Sequence, residues 1–200
     1  LPRAVKFSPS GALVFVALGT AGDLVYTFNT ASNSGALVPS QSLSFITATS
    51  DNSLSVSPNG TYLYIARSGV GGGLAAYTIT GGGGTLASVS GSPYPAGVQP
   101  YSIAVNQASA DVYVASRSDG KIYGYSVASN GTLTALNAAP YTSGIAVTAI
   151  SMDKSGSYLA AAANGGSPDL TLYSFDASAN LVTATSSATG TDPTGPVAIA

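Results

Sequence analysis

A unit of about 48 residues is written four times along this 200-residue chain, and it constrains the fold more than any other feature. Phe7-Ser8-Pro9-Ser10-Gly11 leads into Ala12-Leu13-Val14-Phe15-Val16-Ala17, and Val56-Ser57-Pro58-Asn59-Gly60 leads into Thr61-Tyr62-Leu63-Tyr64-Ile65-Ala66. The third copy runs from Val105 to Ala115 and the fourth from Met152 to Ala162. The anchors Phe7, Val56, Val105 and Met152 are spaced by 49, 49 and 47 residues. A second anchor, Leu37, Leu86, Leu133 and Leu181, recurs at 49, 47 and 48. Two anchors drifting so little define one register.

Each copy reads as four short strands. A turn with Pro and Gly in the first two copies follows the first strand, because Pro presets φ and Gly supplies positive φ. An apolar second strand, a loop rich in Gly, Ser and Asp, and a third strand with an aromatic residue come next. A more polar fourth strand completes the unit. β-Branched and aromatic residues at period two, with turns every 8–12 residues, are an all-β signature. No segment carries a capped helical period. A twisted four-stranded sheet cannot bury both faces alone, so such units stack. The expected fold is an all-β propeller of four-stranded antiparallel blades, with a β-sandwich as the alternative.

The expected blades are residues 1–50, 51–99, 100–146 and 147–194. Residues 195–200 align with residues 1–6 and read as the first strand of a further repeat. The array therefore reads as four blades of a larger propeller. The alternatives are a closed four-bladed ring and two chains completing an eight-bladed one. Phe7, Val56, Val105 and Met152 are expected in the core. Tyr26, Tyr77, Tyr125 and Tyr173, at equivalent third-strand positions, are expected to pack between blades.

Composition narrows function. Six Lys and Arg oppose eight acids, all of them Asp, and the chain has no His, no Cys, no Trp and no Glu. Six scattered cations do not make a nucleic-acid groove. Zinc, iron–sulfur and thiol chemistry lack their usual ligands, and a Ser-His-Asp triad is impossible. No cofactor is expected. No apolar run approaches the roughly 18–20 residues of a membrane span. The charge-poor, Ser/Thr/Gly-rich surface points to an extracellular or periplasmic protein, with the cytoplasm as the alternative.

Propellers bind ligands where the loops between second and third strands meet the loops between blades. The first set of loops holds Asp23, Arg67, Arg117, Asp119, Asn164 and Asp169; the second holds Tyr94, Gln99, Tyr141 and Asp192. Arg67, Arg117, Asp119, Asn164 and Asp169 are the candidate ligand-binding residues. Arg67 and Arg117 stand one aligned position apart in adjacent blades. They read either as a bidentate clamp for a carboxylate or phosphate or as two solvated loop arginines. Asp153-Lys154-Ser155-Gly156 lacks calcium-loop spacing and reads as an ordinary turn.

Gly91-Ser92-Pro93-Tyr94, Gln99-Pro100-Tyr101-Ser102-Ile103-Ala104-Val105 and Val112-Tyr113-Val114-Ala115 together resemble the repeat of the seven-bladed propeller lactonases, the 6-phosphogluconolactonase-like proteins. Ser57-Pro58-Asn59-Gly60 with Leu63-Tyr64-Ile65-Ala66, and Tyr77-Thr78-Ile79 with Gly84-Thr85-Leu86, are similar to further elements of that repeat. The resemblance implies hydrolysis of a sugar lactone, by a central site that in lactone-acting enzymes of this fold uses His, Glu and Arg. With His and Glu absent, the sequence by itself reads as a non-catalytic propeller for binding or surface assembly. The alternative is a lactonase-like hydrolase whose catalytic residues lie outside this chain. The expected partner is a small carbohydrate-like or lactone ligand, or other protein chains including a second copy.

Overall fold

A computed structural model describes residues 1–29, 35–44, 46–108, 110–165 and 168–187. Residues 195–200 and Asp192 lie outside these. Every regular element among them is a strand. The first sheet contains β1 (Ala4–Phe7), β2 (Leu13–Ala17), β3 (Asp23–Asn29) and β4 (Ala36–Leu43). The second contains β5 (Thr49–Val56), β6 (Tyr62–Gly69), β7 (Gly73–Thr80) and β8 (Thr85–Ser88). The third contains β9 (Pro100–Val105), β10 (Asp111–Ser116), β11 (Lys121–Val127) and β12 (Leu133–Ala135), with the two-residue β13 (Tyr141–Thr142) beside β11. The fourth contains β14 (Val147–Met152), β15 (Tyr158–Ala163), β16 (Leu170–Phe175) and β17 (Leu181–Ser187). Each is a meander in chain order with antiparallel neighbours, so each repeat is one propeller blade.

One turn chemistry opens all four blades. Ser57 accepts through Oγ from Tyr62 N at 2.9 Å, while its own N–H donates to Tyr62 O and Gly60 takes φ 74°. Ser8 does the same for Leu13, Asn106 for Asp111 and Asp153 for Tyr158. The position requires a short side-chain acceptor, which is why Ser, Asn and Asp alternate there. Hydrogen bonds to Asp153, first from the Ser155 hydroxyl, hold its carboxyl down at about 2. Asp153 thus caps its own turn.

Three cores lie between the four blades. Leu13, Phe15 and Val25 meet Leu54, Leu63, Ile65 and Ala75 between the first two. Tyr62, Tyr64, Leu74 and Ala76 meet Val105, Val112, Val114 and Tyr125 between the second and third. Tyr113, Ala115 and Ile122 meet Val147, Ile150, Leu159 and Tyr173 between the third and fourth. Side chains alternate along each strand, so one blade feeds two cores. A Leu or Ile buried in this way contributes about 1.5–3 kcal/mol.

Tyr77, Tyr125 and Tyr173 all pack toward the preceding blade, as expected of their column. Val105 is buried and Val56 and Met152 pack partly into the cores. Phe7 departs from expectation: it is 56% exposed. It belongs to the face of the first blade that points away from the second, where it meets Phe28 edge-on at 5.5 Å.

Candidate functional site at the channel mouth

The first strands of successive blades pack on one another, β5 on β1, β9 on β5 and β14 on β9. They are therefore the inner strands that line the axis. Hydrogen bonds tie them together: Asn52 Nδ2 donates to Pro100 O at 2.9 Å, and Ile150 N donates to Ser102 Oγ at 3.1 Å.

Three of the four inner strands bulge at the same place. On β5, Asn52 is the extra residue between Asp51 and Ser53; on β9 it is Tyr101; on β14 it is Thr148. Each stands four residues before its blade's anchor, and the equivalent residue in the first blade is Arg3. A bulge turns one side chain out of the ladder and re-aims it, and bulges gather beside active sites for that reason. Here they set Asn52, Tyr101 and Thr148, in the column that Arg3 occupies in the unbulged first blade, at the end of the inner strands that meets the connecting loops. The Arg3 side chain runs over Gly19, where a Cβ would stand 3.4 Å from its Cγ and Nε. None of these four belongs to the residues expected from the loops. Their signal in the sequence is their column, four before Phe7, Val56, Val105 and Met152.

The loop arginines have separate settings. Arg117 lies with its guanidinium carbon 5.4 Å from the Tyr101 ring centroid, a cation–π stack on a bulge residue. Its N–H donates to Gln99 O at 2.8 Å, and Ser118 Oγ donates to Gln99 Oε1 at 2.9 Å. No carboxylate lies within ion-pair distance of Arg117 among the described residues. Arg67, by contrast, is 3% exposed. It donates through Nε to Asp51 Oδ1 at 2.5 Å and through Nη2 to Asp51 Oδ2 at 3.0 Å. Asp23 Oδ2 lies 3.6 Å from Nη2. Its guanidinium is thus held inside the joint between the first two blades and committed to Asp51, so the expected clamp with Arg117 does not form.

The Asp23–Asp51–Arg67 cluster belongs to one joint only. Strand register places Leu74, Pro100 and Ser116 at the same three positions in the next joint, and Ile122, Val147 and Ala163 in the third. A charged set therefore replaces mostly apolar ones. Burial, then the neighbouring Asp51 charge and a hydrogen bond with Asp51, push the Asp23 carboxyl up to about 8, against the pull of Arg67. The shift favours the protonated acid, which lowers the net charge that the joint has to bury. This is how three ionisable groups tolerate burial.

Of the remaining candidates, Asp119 accepts through Oδ2 from the Tyr123 hydroxyl at 2.8 Å. Asn164 N donates to Ala146 O at 3.0 Å. Asp169 is 4% exposed, and its carbonyl accepts from Ala163 N at 2.8 Å. Asp119 and Asn164 flank the loop that joins the third blade to the fourth.

A family model described as "Lactonase, 7-bladed beta-propeller" matches residues 67–198. No curated protein matches the sequence at a significant level. Among solved structures, the chain is similar to a putative 6-phosphogluconolactonase from Bacteroides uniformis, at 19% identity over 92% of this chain and 53% of that one, with a TM-score of 0.79. A Lactobacillus plantarum protein is similar at 18% identity, 96% and 56% coverage and a TM-score of 0.78. A periplasmic gluconolactonase from Pseudomonas aeruginosa is similar at 21% identity, 96% and 58% coverage and a TM-score of 0.76. The chain thus spans a little over half the length of each. At these identities the solved structures speak for the fold, and the match across residues 67–198 goes further: the chain belongs to the seven-bladed β-propeller lactonase family.

Proposed function

We propose that the protein is a hydrolase that opens a sugar lactone at the mouth of its central channel. The observation that carries this reading is Arg117, a guanidinium with no carboxylate within ion-pair distance among the described residues, stacked on the bulged Tyr101 in a chain of the lactonase family. The names of the Bacteroides and Pseudomonas relatives, a 6-phosphogluconolactonase and a gluconolactonase, support the same substrate class.

Lactone opening needs few groups. Water adds to the carbonyl carbon, negative charge gathers on the carbonyl oxygen, and the ring C–O bond breaks as the ring oxygen takes a proton. The group that matters most is a fixed donor where the charge develops. Arg117 supplies one, and the Tyr101 ring fixes its plane. Arg3, just ahead of the first inner strand, supplies a further donor. With no His and no Glu, only Asp carboxylates can take a proton within this chain at neutral pH.

The test is hydrolysis of glucono-δ-lactone and its 6-phosphate by the full-length protein, with Arg117→Ala alongside. Turnover above the spontaneous rate is expected, with kcat/KM lower by about 10²–10³ in the variant. Absence of turnover in the wild type would return the protein to the non-catalytic reading, a binding propeller.

A further inference from the structure

The segment 99–101, which carries the ring under Arg117, is held from two blades. Its own blade grips it at Gln99: Arg117 N donates to Gln99 O at 2.8 Å, Gln99 N donates to Ser116 Oγ at 3.3 Å, and Ser118 Oγ donates to Gln99 Oε1 at 2.9 Å. The second blade grips it at Pro100, where Asn52 Nδ2 donates to the carbonyl at 2.9 Å. Among the described residues this is the one hydrogen bond that reaches the segment from another blade.

Asn52 is a fixed donor. It is the extra residue of the β5 bulge, next to Asp51, which Arg67 grips through two hydrogen bonds. Its Nδ2 also donates to Ser68 Oγ at 3.1 Å, and Ser68 Oγ donates back to Ser50 O at 3.3 Å. Both sides of the bulge therefore rest on β6. Across the joint, Pro100 has no N–H and offers only its carbonyl, so the amide of Asn52 has to turn Nδ2 toward it. That carbonyl belongs to the peptide leading into Tyr101, the extra residue of the β9 bulge. A peptide unit is planar, so holding its oxygen holds the plane from which the Tyr101 side chain departs.

The neighbouring joints are tied differently. Between the third and fourth blades the bond runs from Ile150 N to Ser102 Oγ, two residues beyond the bulged Thr148. In the first blade the column holds Arg3, whose side chain runs over Gly19. Among the described residues, a side chain grips the carbonyl ahead of a bulge only where that bulge carries the arginine's ring. We infer that Asn52 is a positioning residue for Arg117: it fixes Pro100 O, through it the Tyr101 ring, and through the ring the guanidinium 5.4 Å from its centroid. Asn52 acts through the strand and makes no hydrogen bond to Arg117. A small misplacement of a group aimed at a reacting atom lowers the rate steeply. This effect on catalysis rests on the hydrolase reading; the hold on Arg117 does not.

The chain has three arginines, Arg3, Arg67 and Arg117, so their side-chain NMR signals can be assigned by substitution in the full chain. The Arg117 side-chain protons are expected upfield, under the Tyr101 ring, and Tyr101→Leu should abolish that shift. Asn52→Ala should lose most of it, as should Asn52→Asp, which keeps the shape and removes the donor. Asn52→Ala should change nothing further in the Tyr101→Leu background. Arg117 signals that stay at their wild-type positions in both Asn52 variants overturn the inference, even where Tm falls, because Asn52 then serves the fold alone. With glucono-δ-lactone as substrate, kcat is expected to fall about two- to tenfold in Asn52→Ala, the loss of one hydrogen bond, with KM little changed and no further fall in the Arg117→Ala background. Equal falls in both backgrounds would overturn the part played in catalysis. Displaced Arg117 signals in a protein that opens no lactone support the positioning and sink the hydrolase reading.

Discussion

Gly131 sits so close to Tyr62 that a Cβ at position 131 would stand 2.5 Å from the Tyr62 ring carbon Cε1. The two residues belong to adjacent blades, and the Tyr62 hydroxyl donates to Ser129 O at 2.9 Å in the same turn. Gly84 stands to Leu13 as Gly131 does to Tyr62, with 2.8 Å to the Leu13 Cδ1. In the third joint the bulky residue is replaced by Asp111 and the glycine by Ala179, and a cavity of about 220 Å³ opens beside them. Bulk on the second strand and bareness of the turn are therefore exchanged together across each joint.

Gly131→Ala is expected to cost about 2–4 kcal/mol, from overpacking together with the left-handed φ of 85° at that position. In Gly131→Ala/Tyr62→Ser the steric part is relieved, so the double variant should be more stable than the sum of the singles by over ~1 kcal/mol. Denaturant unfolding of all four proteins checks this, and strict additivity would contradict it.

Asp23 gives stability a pH dependence of known sign. Its carboxyl holds a proton to about pH 8 in the fold, whereas its ordinary value is 3.8. Between those values the unfolded chain has released a proton that the native protein keeps. The contribution of Asp23 is thus fully present below about pH 4, falls by up to ~1.4 kcal/mol per pH unit, and levels off above about 8. Asp23→Asn has no such slope. It should match the wild type most closely near pH 4–5 and gain on it steadily toward pH 8.5. The same difference in unfolding free energy at both ends would show that Asp23 ionises normally.

The cluster around Arg67 should behave as a buried charge set. Arg67→Ala leaves Asp51 buried without its partner and is expected to lose about 3–5 kcal/mol. The third joint of the same molecule supplies an apolar replacement: Asp23→Ile/Asp51→Val/Arg67→Ala reproduces Ile122, Val147 and Ala163. This triple variant should recover most of that loss, because well-packed apolar groups often replace a buried ion pair without penalty. A triple variant no more stable than Arg67→Ala would mean that the charges also set the alignment of the two blades.

The fold was legible because a blade imposes its period on the chain: the turn acceptors Ser8, Ser57, Asn106 and Asp153 and the tyrosine column through Tyr125 recur in the text as they do in space. Arg117, Asp119 and Asn164 were legible as polar residues in loops that must converge near the axis. Asn52, Tyr101 and Thr148 were not, because a bulge is a property of cross-strand register and appears only when two strands are paired. The role of Arg67 was hidden for a similar reason. Its partner Asp51 lies on the neighbouring strand and Asp23 on another blade, so a loop arginine and a buried ion pair look alike along the chain. Phe7 follows a core pattern, but its burial depends on what stands against the outer face of the first blade.

The connection into each blade places a residue in left-handed conformation: Ala48 at φ 63°, Gly97 at 78° and Ala146 at 54°. An L-residue pays about 1–2 kcal/mol there, which glycine avoids at about 0.4–1 kcal/mol of extra unfolded-state entropy. Ala48→Gly and Ala146→Gly should therefore be neutral or stabilising by up to ~1 kcal/mol, where alanine-to-glycine changes elsewhere ordinarily destabilise. Gly97→Ala should respond in the opposite sense and more strongly. Its Cβ would stand 2.4 Å from Ser116 Oγ and 2.6 Å from Asp119 Oδ2, so steric conflict adds to the left-handed strain. Thermal unfolding distinguishes the two. A clear loss of Tm in Ala48→Gly would show that these alanines are held without strain, and that conformational cost does not accumulate at the loops forming the channel mouth.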